Sequence, residues 1–100
     1  MDSSMSIHKS VKGLSAFAGG RARLWHFSPT HDRLAVELTD TRGQTAYLVL
    51  TGCSQVQLPV VWILKRAEVQ QETATRITFV DDDVRVDCEG AVLQTKYVLE

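Results

Sequence analysis

One hundred residues, 44% hydrophobic and 23% charged, suffice for one domain that buries about two-thirds of its unfolded surface without metal or disulfide staples. With 11 Lys and Arg against 12 Asp and Glu the formal charge is -1, and Lys9, Lys12, Arg21, Arg23, Lys65 and Arg66 come in scattered pairs, unlike the clustered cations of a nucleic-acid binder. No apolar stretch approaches the roughly 20 residues of a membrane-spanning helix, so neither nucleic acid nor a bilayer is the expected partner.

Residues 1–6 are small and polar and are expected to fray. Over residues 7–18, Ile7, Val11, Leu14 and Phe17 or Ala18 recur at helical spacing, with Ser6 as N-cap and Gly19-Gly20 as the stop. The spacing predicts a short amphipathic helix. Gly13 in its interior costs about 1 kcal/mol relative to Ala, so packing must hold it. Lys9 and Lys12 followed by Gly13 to Gly19, with an Ala-x-Ala end, imitate a secretory signal, but the apolar part is short and broken by Gly13 and Ser15, and it reads as part of the mature protein. With no export signal and only Cys53 and Cys88, the expectation is a cytoplasmic protein with reduced thiols and no cofactor. Whether the two cysteines pair depends on whether their strands are neighbours.

Residues 22–99 read as antiparallel β structure. Leu24, His26 and Ser28 alternate with Arg23, Trp25 and Phe27, which predicts a strand with one aromatic face, followed by a turn at Ser28-Pro29-Thr30-His31. Leu34, Val36 and Leu38 then alternate with Ala35, Glu37 and Thr39, and Ala46, Leu48 and Leu50 with Tyr47 and Val49. Between them, Asp40 suits the first position of a type I turn and Gly43 a left-handed fourth position, giving a three-residue hairpin loop with a G1 bulge. That loop sets Leu38 opposite Ala46, Val36 opposite Leu48 and Leu34 opposite Leu50.

The stretch from Val56 to Leu64 is the most apolar of the chain. Pro59 cannot donate to a ladder, so the strand is at an edge or bulged near its start, while residues 60–64 read as buried on both faces. Residues 65–74 are polar and weakly patterned, and a loop is expected, with a single helical turn as the alternative. The last third reads as a meander: Ile77 and Phe79, a turn of three Asp, Val84, Val86 and Cys88, a Glu89-Gly90 turn, then Leu93 to Leu99. The sum is a mainly β protein, an antiparallel six- or seven-stranded sheet system with a short N-terminal helix, closed as a barrel, a sandwich or a roll.

Chemistry-bearing residues are sparse. His26, His31 and Asp32 carry metal-ligand atom types, but zinc needs three or four converging ligands and their spacing matches no zinc knuckle. Asp81, Asp82 and Asp83 do not alternate as a calcium loop does. Cys53 has no neighbouring base to activate it. The feature that asks for explanation is the reverse side of the first hairpin, where Ala35, Tyr47 and Val49 point away from the leucine row. The N-terminal helix, a second sheet or another molecule must cover that side. The favoured expectation is therefore a small, non-catalytic protein-binding or adaptor module, whose partner is another protein or a second copy of itself, with Tyr47, Val49, Ala35 and Trp25 as interface candidates. The alternative is a small-ligand or metal-binding β domain with minor enzymatic activity, using a pocket near His26, His31 and Asp32.

Overall fold

Alternation of apolar and polar residues from Arg21 to Thr51 builds three consecutive antiparallel strands, β1 (Arg21–Ser28), β2 (Arg33–Thr39) and β3 (Thr45–Thr51). The structure, a computed structural model, describes residues 11–28 and 33–96. The β2–β3 register is the one the turn dictates: Leu38 faces Ala46, Val36 faces Leu48 and Leu34 faces Leu50. Gly43 N–H donates to Asp40 O at 3.1 Å, and Gly43 takes the left-handed conformation at φ 86° that a side chain would resist. Asp40 Oδ1 also accepts from Arg42 N at 2.9 Å and Gln44 N at 2.8 Å, so the loop's own amides are satisfied locally.

After β3 the chain passes back and forth between two sheets through β4 (Gln55–Gln57), β5 (Val61–Ile63), β6 (Glu68–Gln71), β7 (Ile77–Asp81), β8 (Val84–Cys88) and β9 (Gly90–Gln94). One sheet has the order β5-β1-β2-β3-β9 and the other β4-β8-β7-β6. Neither closes on itself, so the protein is mainly β, with two antiparallel sheets and no closed barrel among the described residues. Leu34, Val36, Leu38, Leu48 and Leu50 of the first sheet and Phe79, Val86 and Cys88 of the second belong to one buried cluster. Each large aliphatic or aromatic side chain fully removed from water there contributes about 1.5–3 kcal/mol.

Among the described residues nine strands replace the expected six or seven, for two physical reasons. The apolar stretch from Val56 to Leu64 is two strands, because Pro59 has no N–H and the chain leaves one sheet and enters the other there. Within residues 65–74, where a loop is expected, β6 forms because Val69 pairs with Phe79 and is buried. A single buried side chain leaves no period to detect, and pairing decides the conformation.

The terminal meander is also corrected. The β7–β8 hairpin places Phe79 opposite Val86, as a tight turn requires, but only Glu89 separates β8 from β9, too few residues for a hairpin loop. The chain therefore continues into the other sheet, where β9 pairs with β3 and sets Val92 opposite Val49.

The helix expected over residues 7–18 is, within the described part, only a 3-10 turn at Leu14–Phe17. Gly13 sits at φ 93°, a left-handed conformation through which a right-handed helix cannot run. Val11 and Leu14 nevertheless join the shared core, so this segment packs on the inward side rather than over Tyr47. Residues 1–10, residues 29–32, where most of the turn expected over Ser28 to His31 falls, and residues 97–100 lie outside the described residues. In β1, a register shift between Leu24 and His26 breaks the single aromatic face. Phe27 pairs with inward-facing Leu34, while Trp25 stands on the outward side with Tyr47.

Candidate functional site

The most exposed apolar residues of the described chain gather on an edge strand. β5 pairs with β1, Arg21 opposite Ile63, Ala22 opposite Trp62 and Arg23 opposite Val61. Leu24 N–H donates to Val60 O at 2.7 Å and Leu64 N–H to Gly20 O at 2.9 Å. Strand geometry alternates, so the N–H and C=O groups of Val61 and Ile63 point away from β1, and among the described residues no strand lies beyond them. Their side chains stand in water: Val60 is 68% exposed, Val61 51% and Ile63 57%. The expectation that residues 60–64 are buried on both faces is overturned. A strand at an edge has one neighbour, and here only Trp62 and Leu64 turn toward the interior.

Beside this edge lies a groove of about 340 Å³ lined by Pro59, Trp62, Ile63, Asp82, Asp83 and Val84, among others. Its floor is held by Asp81, a carboxylate only 1% exposed. Asp81 accepts from Trp62 Nε1 at 3.0 Å, from Lys65 N at 3.2 Å and from Arg66 N at 2.8 Å, which offsets the desolvation of its charge. At the rim, Lys65 Nζ lies 3.0 Å from Asp82 Oδ2, and this hydrogen bond, with the charge of Asp82 beside it, pushes the ammonium pKa up.

The four interface candidates from the sequence share the outward side of the first sheet but not its surface. Ala35 and Val49 are buried there, and Tyr47 is half-buried. The ring of Trp25 lies 5.8 Å from that of Tyr47 at 54°, and the Arg23 guanidinium carbon sits 5.2 Å from the indole centroid. Arg23 Nη2 donates to Glu37 Oε1 at 2.8 Å, and Tyr47 OH donates to Glu37 Oε2 at 3.4 Å. Burial first, and then the charge of Glu37, push the Tyr47 hydroxyl pKa up, while Arg23 draws it down. Because Arg23 is also the β1 partner of Val61, this aromatic cluster adjoins the β5 edge on one face.

His26 is half-buried opposite Ala35, while His31 and Asp32 lie outside the described residues. Among the described residues, no group of three His, Cys, Asp or Glu side chains is arranged to hold a metal ion, and no helix is long and apolar enough to cross a membrane. No disulfide joins Cys53, which is half-buried, to Cys88, which is buried.

Pro59 was the available signal for the edge, since it marks a strand that cannot be central. The exposure of the residues after it carried no signal, because a run of β-branched residues reads alike in a core and on an apolar edge. No protein-family model, curated protein or solved structure matches this chain.

Proposed function

We propose that the chain is a small, non-catalytic protein-binding module that self-associates by adding the β5 edge of a second copy to its own. The observation that carries this reading is the exposed pair Val61 and Ile63, whose backbone groups face outward on an edge with nothing beyond it among the described residues. Natural edges are normally blunted by charge, and β5 itself has none. A two-fold axis through Trp62 would set Val61 of each copy opposite Ile63 of the other, a self-complementary contact in which both residues supply ladder hydrogen bonds and a β-branched side chain. The groove beside Pro59 and Ile63 supplies room for apolar side chains at its margin.

Light scattering on the size-exclusion effluent, over a concentration series, tests this. The expected result is a dimer that dissociates on dilution and is lost in Val61→Lys, whose circular dichroism stays that of the wild type. A monomer at every concentration overturns the reading.

A further inference from the structure

We propose that Cys53 and Cys88 form a reactive dithiol site that takes a low-molecular-weight disulfide as its oxidant and closes into a cross-strand disulfide where the two sheets join.

The placement follows from the register on either side of the pair. Thr51 stands opposite Gly90, and Gln55 opposite Asp87. Glu89 N–H donates to Thr51 O at 2.9 Å and Ser54 N–H to Asp87 O at 2.8 Å, so the two chains stay laddered through the crossing. An added Cβ on Gly52 would fall 2.6 Å from Glu89 Oε1, which fixes Gly52 against Glu89. Cys53 therefore comes opposite Cys88, and Ser54 is the extra residue of a bulge. The Ser54 to Asp87 bond, running from the residue after Cys53 to the residue before Cys88, is one of the two bonds that flank a non-hydrogen-bonded antiparallel pair; on the other side Glu89 N–H reaches Thr51 O, one residue before Gly52. Such a pair holds its Cα atoms about 4.5 Å apart, within the roughly 4.4–6.8 Å that a disulfide spans. A hydrogen bond to Cys53, followed by burial, pushes the Cys88 thiol pKa up, in keeping with that pairing.

The two cysteines differ in access, which assigns their order of reaction. Cys53 is half-buried and Cys88 is buried, so the Cys53 thiolate attacks the incoming disulfide, one S–S bond breaks, and one small thiolate leaves. The Cys88 sulfur then attacks the Cys53 sulfur of the mixed disulfide and expels the second small thiolate. The two thiol protons pass to the two leaving thiolates; the protein dithiol is oxidised by two electrons and the small disulfide reduced by two. Both chain crossings at this place, from β3 into β4 and from β8 into β9, become tied by one covalent link.

The test is to incubate the folded chain with oxidised glutathione at graded ratios to the reduced form, quench with acid, and read intact mass and free thiols. The wild type should lose both thiols and the mass of two hydrogens, with no glutathione retained. Cys88→Ala should hold one glutathione on Cys53, and Cys53→Ser, which leaves the buried cysteine in place, should stay unmodified under native conditions. Retention of glutathione by the wild type, linkage between chains, or two unreacted thiols at the most oxidising ratio overturns the proposal.

Discussion

Trp62 Nε1 donates to Asp81 Oδ2 at 3.0 Å, and this bond ties the outermost strand of one sheet to the last residue of β7 in the other. The same carboxylate accepts the backbone N–H groups of Lys65 and Arg66 at 3.2 and 2.8 Å, where the chain leaves β5 for β6. One buried charge thus satisfies three donors at a crossing that has no regular ladder of its own. Asp81→Ala should cost about 2–4 kcal/mol, because those donors lose a charged acceptor and two of them cannot turn away. Trp62→Phe should cost less, since both backbone donors keep their partner. Urea unfolding of the two variants checks the order, and an Asp81→Ala loss no larger than that of Trp62→Phe refutes this account of the crossing.

The first hairpin makes a second prediction. Gly43 has a left-handed backbone and no atom within 4 Å of an added Cβ, so Gly43→Ala meets conformational strain alone and should cost about 1 kcal/mol. Gly43→Asn should recover part of that loss, as Asn tolerates this region better. Asp40→Ala, which removes the acceptor of the Arg42 and Gln44 amides, should also cost about 1 kcal/mol. Thermal unfolding separates these values, and a neutral Gly43→Ala contradicts the left-handed turn.

A third prediction concerns the Tyr47 hydroxyl, whose pKa is raised by burial first and by Glu37 second. A folded-state pKa above the unfolded one contributes stability that is fully present below the unfolded value. The contribution is lost as the pH rises through the folded value, so the effect appears only on the alkaline side. In a Tyr97→Phe background Tyr47 is the single tyrosine, and its tyrosinate absorbance should emerge at higher pH when the chain is folded than when it is unfolded. Glu37→Gln should move the folded midpoint down. An unchanged midpoint in that variant removes Glu37 from the explanation.

The β2–β3 hairpin is legible in the sequence because two independent codes, the Asp40 to Gly43 turn and the alternate leucines, specify the same register. Trp25 and Phe27 are misread as one face because the bulge between Leu24 and His26 has no marker in residue type. The partners of β9 are hidden for a topological reason: Glu89-Gly90 resembles a turn, and only the count of residues between Cys88 and Gly90 shows that a hairpin cannot close. Ala35 and Val49 are rightly read as a second apolar side, but period alone does not tell a covered side from an open one, and both are buried. Cys53 and Cys88 are 35 positions apart (88 less 53), and only the sheet crossing brings them together.

The β5 edge yields the last prediction, which separates an exposed strand from a buried one without reference to any partner. If Val61 and Ile63 packed into a core, Val61→Lys or Ile63→Lys would bury an unpaired charge, with losses well beyond those of ordinary surface substitutions. With both side chains more than half exposed, either variant should unfold within about 0.5 kcal/mol of the wild type at concentrations where the chain is monomeric. Leu48→Ala, at a site with no exposure in the shared core, should by contrast cost about 2–5 kcal/mol. Denaturant unfolding at low protein concentration decides the matter. Lysine variants as damaging as Leu48→Ala would place residues 61 and 63 inside the protein and remove the edge on which the proposed dimer depends.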